Sequence, residues 1–248
     1  MLHVDLNCDM GEGCGNDAEL MRYITSANVA CGFHAGDPAT MRATAEMAVE
    51  NGVRIGAHPG YPDRENFGRS PLKMAIKDIA HIVSEQVQAM RDVARSAGGQ
   101  LSHVKPHGAL YNQAAQDLEV ATAIAEALRD VDPALALYGL SGSASIQGAK
   151  QLGVPVVAEA FADRSYQTDG SLTPRQANNS LIKDAGSAAT QVLDMVKYGR
   201  VRSVDAIMIK IVAETICIHG DAPRALTFAQ VIRAALKGNG VLVQAPGG

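Results

Sequence analysis

The chain has 248 residues, 47% of them hydrophobic, and a formal net charge of −4. This length suits an α/β barrel, and an acidic chain without a basic run argues against nucleic acid or an anionic membrane as a partner. No apolar stretch approaches the roughly 18 residues of a membrane span, and the N-terminus lacks the basic and apolar segments of a signal peptide. We therefore predict a single domain over residues 1–248, located in the cytoplasm.

Short β-branched runs alternate with helical patterns from one end of the chain to the other. The runs are about five residues long and nearly all apolar, which is typical of parallel strands buried on both faces. The predicted strands are residues 2–6, 27–30, 53–57, 101–105, 134–138 and 154–158, followed by two strand pieces within residues 207–218.

Helices are predicted between these strands. The first begins at a cap, Asp37, followed by Pro38, and it stops at Asn51 and Gly52. The others cover residues 71–97, 119–129, 143–152, 185–198 and 223–237. This order implies a parallel sheet with right-handed crossovers, and six to eight strands without a break in composition favour a barrel over an open doubly wound sheet.

Polar side chains follow most of the predicted strands, at the ends where active sites of such sheets lie. Four of the seven histidines, His34, His58, His107 and His219, fall at these ends, each close to Gly or Pro. Histidine titrates near neutrality and can move protons or bind metal, and a neighbouring Lys105 could stabilise an oxyanion. Four histidines at matching positions disfavour a purely structural interpretation.

Individual residues also have simpler interpretations. Asp5 lies inside an apolar strand, where it could orient a histidine or a backbone turn. Asp163, Arg164 and Arg175 could form a solvated charged loop, and Cys217 could be a small core residue at a strand end.

Six segments carry a resemblance to a known family. They are residues 5–12 (DLNCDMGE), 26–37 (SANVACGFHAGD), 56–63 (GAHPGYPD), 103–112 (HVKPHGALYN), 159–166 (EAFADRSY) and 217–221 (CIHGD). In this order they resemble the LamB/YcsF family over essentially the whole chain. The resemblance implies a single-domain, TIM-like (β/α) barrel of about seven parallel strands, related to sugar deacetylases.

The resemblance also implies an activity and a set of partners. The expected reaction is hydrolysis of 5-oxo-L-proline to L-glutamate, coupled to hydrolysis of ATP with Mg²⁺, and separate B and C subunits of the 5-oxoprolinase are expected to be required. On this hypothesis the catalytic residues are His34, His58, Lys105, His107 and Asp9. The expected substrate contacts are Asn7, Glu12, Asp63, Arg164, Tyr166, His219 and Asp221.

Two other functions are compatible with the same residues. One is a metal-dependent, deacetylase-like hydrolase, in which Asp9, His34 and His58 would hold the ion. The other is a non-catalytic substrate-binding subunit, with catalysis in its partners. We expect no tightly bound metal.

Overall fold

A computed structural model describes residues 2–220 and 224–247. Within these residues there are ten strands: β1 (His3–Met10), β2 (Ser26–Ala30), β3 (Arg54–His58), β4 (Leu101–Val104), β5 (Ala136–Leu140), β6 (Val156–Phe161), β7 (Arg200–Arg202), β8 (Met208–Lys210), β9 (Thr215–Ile218) and β10 (Leu242–Val243). Strands β1 to β6 pair in parallel in sequence order, and β9 pairs in parallel with both β6 and β1. Seven parallel strands thus close into a barrel, which confirms the predicted TIM-like fold.

Helices surround this barrel. The described residues form α1 (Asp17–Leu20), α2 (Pro38–Glu50), α3 (Ile76–Ser96), α4 (Gly108–Gln116), α5 (Leu118–Val131), α6 (Ala144–Gln151), α7 (Ala185–Tyr198) and α8 (Ala225–Gly238). The side chain of Asp37 caps α2 by accepting from the Thr40 amide, as its sequence predicts. None of these helices is both long and apolar enough to cross a membrane.

Several elements differ from the prediction. Helix α3 begins five residues later than expected, because Ala75, its N-cap, is extended. Strand β8 pairs antiparallel with β7, so only the second predicted piece of residues 207–218 is a barrel strand. Short elements were missed, namely α1, α4, β7 and β10, the last of which pairs with the start of β1.

The barrel interior is polar, in contrast to the apolar strands that the sequence suggested. Along β1 the buried apolar side chains alternate with Asp5, Asn7 and Asp9. The Asp5 carboxylate accepts hydrogen bonds from the hydroxyls of Ser26 at 2.8 Å and of Thr215 at 2.6 Å. Asp5 is therefore a buried carboxylate with hydrogen-bond partners, as a buried polar group requires.

His103 fills the middle of the same interior. Its Nε2 lies 2.9 Å from Asn28 Oδ1, and its ring stacks on Tyr138 with the ring centroids 4.1 Å apart. A methyl group on Gly56 would overlap this ring. The glycine in β3 thus makes room for the imidazole.

Replacing Gly56 by Ala is expected to lower the free energy of unfolding by about 1–3 kcal/mol, since overpacking displaces a buried ring. Urea unfolding of both proteins measures this difference. Gly238→Ala is the control, because a Cβ there meets nothing within 4 Å. Equal midpoints for Gly56→Ala and the unsubstituted chain would mean that the ring moves at no cost.

Candidate active site

A cavity of about 540 Å³ opens at the carboxyl ends of the barrel strands. This is the end at which barrels of this kind carry their active sites. The charged, imidazole and aromatic side chains that line it are Asp9, Glu12, His58, Arg69, Lys105, His107, Tyr111, Phe161, Arg164, Arg175 and His219.

Lys105 lies at the floor of this cavity and is almost fully buried. Its Nζ is 2.9 Å from Asp9 Oδ1, 2.9 Å from Glu159 Oε1, 3.1 Å from Asn7 Oδ1 and 3.1 Å from Cys217 Sγ. Burial lowers the pKa of Lys105, but Asp9, Cys217 and Glu159 outweigh it and raise this pKa well above its usual range. The three N–H groups of the ammonium are therefore occupied, and its position favours fixing carboxylates over contacting an oxyanion.

The Asp9 carboxylate has one fixed oxygen and one that faces the histidines. Its Oδ1 accepts from Lys105 and, at 2.9 Å, from Asn28 Nδ2, whereas its Oδ2 lies 3.4 Å from His58 Nε2. Burial raises the pKa of Asp9, but His58 and Lys105 bring it well below its usual range. Asp9 is thus a rigid, ionised carboxylate.

Three imidazoles and one carboxylate converge next to Asp9. Glu12 Oε1 lies 3.2 Å from His34 Nε2, 3.3 Å from His107 Nδ1 and 3.8 Å from His58 Nε2. His58 Nε2 and His107 Nδ1 are 2.9 Å apart, and the rings of His34 and His107 stack at 3.8 Å. We call these four residues the imidazole cluster.

The three imidazoles do not share one protonation behaviour. Burial, together with the positive charge on His58, lowers the pKa of His34 to about 3 and that of His107 far below its usual value. Burial also lowers the pKa of His58, but the charges of Asp9 and Glu12 more than compensate and raise it. Among these rings His58 is thus the one best placed to carry a positive charge.

His219 lies on another side of the cavity, paired with Asp163. Its Nδ1 is 2.8 Å from Asp163 Oδ1 and 3.0 Å from Oδ2, and its ring stacks on Phe161. A ring nitrogen of His219 lies within 4.8 Å of a carboxylate oxygen of Asp9. The Asp163 carboxylate fixes the orientation of the imidazole, so that Nε2 is the nitrogen left for proton transfer.

The Asp163–His219 pair makes the free energy of unfolding depend on pH in the acidic range. Burial raises the pKa of Asp163, but His219, Arg164 and Arg175 outweigh burial and bring it below 3.8. A carboxylate whose pKa is lower in the folded protein than in the unfolded chain stabilises the fold at a pH above the unfolded pKa. This stability is lost as the pH falls through the folded-state pKa.

We therefore expect Asp163→Asn to cost about 1.5–3 kcal/mol of unfolding free energy at pH 7, the usual range for hydrogen bonds to charged groups. The difference should shrink below the ordinary pKa of 3.8. Denaturant unfolding across pH measures it. The exposed Asp130→Asn is the control, and a difference that does not change with pH would contradict the assignment.

The structure brings most predicted site residues together, and it places others outside the cavity lining. His34 lies behind His107 and Glu12, and Asn7 lies beneath Lys105. These two residues support the floor of the cavity without lining it.

Two expected substrate contacts take part in local structure instead. Asp63 accepts from the side chain of Asn66 in a tight turn. The Tyr166 hydroxyl is fully buried and accepts from the Phe161 amide at 2.7 Å. Neither lines the cavity, so both are better explained as structural residues, and Asp221 lies outside the described residues.

Other site residues were not predicted. Glu159 occurs within an apolar strand pattern, where its inward direction depends on the strand register. Tyr111 lies on α4, which was itself missed, and Arg69 lies in a loop without a recognisable signal. Arg175, for which a solvated loop was one interpretation, lines the cavity.

Comparisons with known proteins agree with this architecture. The LamB/YcsF family profile matches residues 4–247. A curated relative from Bordetella parapertussis, named as a 5-oxoprolinase subunit, is 50% identical over 247 residues, which cover 98% of each chain. The solved structure of a lactam utilization protein from Thermus thermophilus has a TM-score of 0.93 and 40% identity, covering 98% of this chain and 100% of that one.

More distant structures share the fold alone. The peptidoglycan deacetylase PdaC from Bacillus subtilis has a TM-score of 0.51 at 11% identity, covering 98% of this chain and 87% of that one. The expected likeness to sugar deacetylases is therefore confirmed at the level of the fold. Because the family profile and a relative of 50% identity both span nearly the whole chain, the chain belongs to the LamB/YcsF family.

Proposed function

We propose that this chain hydrolyses the cyclic amide of 5-oxo-L-proline to give L-glutamate, as one subunit of an ATP-dependent 5-oxoprolinase. The names of its relatives, a lactam utilization protein and a 5-oxoprolinase subunit, support the substrate class. The observation that carries the chemistry is the placement of Asp9 and His219 in the lining of one cavity, where Asp163 holds His219 and a ring nitrogen of His219 lies within 4.8 Å of a carboxylate oxygen of Asp9.

A five-membered lactam is a stable amide, so its opening requires activation. Transfer of a phosphoryl group from ATP to the amide oxygen makes the ring carbon electrophilic. Water then adds to this carbon, the C–N bond breaks as the nitrogen takes a proton, and the acyl phosphate so formed is hydrolysed by a second water. In the proposal, ATP with Mg²⁺ is the co-substrate of the complex with subunits B and C.

The cavity offers a group for each proton movement. Asp9, fixed through Oδ1 by Lys105 and Asn28, orients the attacking water and accepts its proton. His219, oriented by Asp163, donates a proton to the departing ring nitrogen. His58 and His107 line the floor next to Asp9, and they remain in the proposed catalytic set.

Two arginines give the cavity affinity for an anionic substrate. Arg164 and Arg175 both line it, and the charges of both lower the pKa of Asp163. A guanidinium suits a carboxylate or a phosphoryl group, and both are present in a phosphorylated 5-oxoproline. We infer that these arginines orient the substrate, which agrees with the predicted role of Arg164.

Reconstitution tests the proposal. The purified chain is mixed with subunits B and C, ATP, Mg²⁺ and 5-oxoproline, and glutamate release is followed while each component is omitted in turn. Glutamate is expected only from the full mixture. If B and C consume ATP in response to 5-oxoproline and yet no glutamate forms when the chain is added, the proposal is wrong.

The non-catalytic alternative predicts a different outcome from the same mixture. A subunit that only delivers substrate would bind 5-oxoproline, but substitutions at Asp9 and His219 would leave turnover in the complex unchanged. The deacetylase alternative predicts release of acetate from an acetylated sugar by the isolated chain. Likeness in fold at 11% identity gives that substrate no specific support.

A further inference from the structure

The hydrogen-bond partners of His58 and His107 fix which ring nitrogens face each other in the imidazole cluster. His58 Nδ1 lies 2.7 Å from the carbonyl oxygen of Lys105, and His107 Nε2 lies 2.8 Å from that of Phe67. A carbonyl only accepts, so each of these nitrogens carries a hydrogen. In neutral rings the two remaining nitrogens then face each other with lone pairs, 2.9 Å apart.

Two lone pairs at that distance repel each other unless a cation lies beside both. A proton shared between the two rings would relieve this pair, but it would engage directly only two of the four ligand-type atoms that converge here. A metal ion would engage all four side chains, because each of them offers a ligand atom and these atoms all lie within 4.8 Å of one another. The convergence of four ligand-type atoms therefore favours a metal over a proton.

The spacing of these atoms matches that of ligands around one ion. Bonds of about 2.0–2.2 Å place neighbouring ligand atoms about 3–3.5 Å apart in a tetrahedral or octahedral site. Glu12 Oε1 lies 3.2, 3.3 and 3.8 Å from the ring nitrogens of His34, His107 and His58, respectively. The facing nitrogens of His58 and His107 are 2.9 Å apart. The atoms thus need little rearrangement to share an ion.

The ring nitrogens of His58 and His107 that face away from the cluster give independent support for a metal site. Metal-binding histidines usually donate their second N–H to a carbonyl or carboxylate, which fixes ring and tautomer. His58 and His107 do so, each to a backbone carbonyl. Glu12 stands between Gly11 and Gly13, both with positive φ, so a tight turn aims its carboxylate at the rings.

We propose that Glu12, His34, His58 and His107 hold a divalent transition-metal ion of the class that imidazole prefers, such as Zn²⁺. This differs from the set of Asp9, His34 and His58 considered from the sequence, because the ligand atoms that lie within 4.8 Å of one another are those of Glu12 and the three histidines, whereas Asp9 groups with Cys217 and His219. Glu12, His58 and His107 line the cavity, so a substrate oxygen can approach the ion.

Such an ion polarises a carbonyl or phosphoryl oxygen, and this role rests on the proposed function. The binding of the ion does not rest on it. The test therefore uses the isolated chain without substrate or partners, so that a failure of 5-oxoproline hydrolysis and a failure of metal binding are separate results.

The experiment measures metal content and affinity directly. The chain, purified without a histidine tag, is stripped with a chelator, dialysed against Zn²⁺, Co²⁺, Mn²⁺ or Ni²⁺ and assayed by mass spectrometry of the elements. We expect about one ion per chain, with a rise in melting temperature on loading. In the Co²⁺ form, visible absorption bands report nitrogen coordination.

Variants locate the ion. His107→Ala and the shape-preserving Glu12→Gln are expected to weaken binding at least about 100-fold. His219→Ala and the exposed His81→Ala are the controls and should keep the ion. Circular dichroism checks that each variant is folded. If His107→Ala does not fold, the metal affinity of Glu12→Gln decides whether the ion lies in the imidazole cluster.

Three results would overturn the proposal. The first is a wild-type chain that takes up only traces of every ion offered. The second is loss of the ion in His219→Ala but not in Glu12→Gln, which would place it among Asp9, Cys217 and His219. The third is a nitrogen NMR spectrum, recorded in the presence of metal, that shows His58 doubly protonated at neutral pH.

Discussion

Replacing Lys105 by Met is expected to lower the free energy of unfolding by about 3–5 kcal/mol, the range found when one partner of a buried ion pair is removed. Methionine has a similar length, so the change removes the charge more than the volume. It leaves the carboxylates of Asp9 and Glu159 without the ammonium that lies 2.9 Å from each. The side chain of Glu159 is fully buried, so water cannot replace the lost charge.

Denaturant unfolding at neutral pH measures this loss. Lys150→Met is the matched control, because Lys150 is exposed on α6 and its substitution should change stability by less than about 0.5 kcal/mol. Combining Lys105→Met with Glu159→Gln removes one of the two uncompensated charges and should recover part of the loss. A Lys105→Met protein as stable as Lys150→Met would show that the carboxylates take up protons at little cost.

The sequence predicts the barrel well because its signals are local. Apolar runs separated by amphipathic helices identify six strands, and caps such as Asp37 mark helix starts. The rule that parallel strands end at one rim then places His58, Lys105 and His219 together before any contact is known. The agreement follows from topology, which needs no side-chain geometry.

The detailed contacts could not be predicted, because they depend on strands that are far apart in the chain. The pairing of Asn7 and Lys105 with Glu159 crosses the barrel and requires its closure. Likewise, Glu12 and His107 meet only after a glycine turn and a loop have been placed. Sequence patterns give the residue types at the rim, and the closed barrel decides which atoms touch.

The same distinction explains why Tyr166 and Asp63, which the sequence predicts as substrate contacts, do not line the cavity. Tyr166 follows a strand, as the catalytic candidates do, yet its hydroxyl turns inward to the Phe161 amide. Asp63 follows β3 closely but belongs to a turn that ends in Asn66. Proximity to a strand end is therefore not sufficient for a site residue, and Tyr111, which lines the cavity from α4, shows that it is not necessary either.

Replacing His219 by Ala is expected to lower kcat in the reconstituted complex by about 10²–10⁴-fold, the usual contribution of a positioned general acid or base. His219 is partly exposed at the rim, so its loss should leave the fold intact. Because the group acts on the departing nitrogen, the loss should appear in kcat more than in KM. The control is His81→Ala, which lies exposed on α3 and should keep full turnover.

A second variant separates chemistry from structure. Asp163→Asn keeps the shape of the pair but removes the charge that orients His219 Nδ1, so it should also lower kcat, with an altered dependence on pH. Glutamate release is measured across pH for His219→Ala, Asp163→Asn and His81→Ala. The first two are expected to lose turnover and the third to keep it. If His219→Ala turns over as fast as His81→Ala, the departing nitrogen takes its proton from another group.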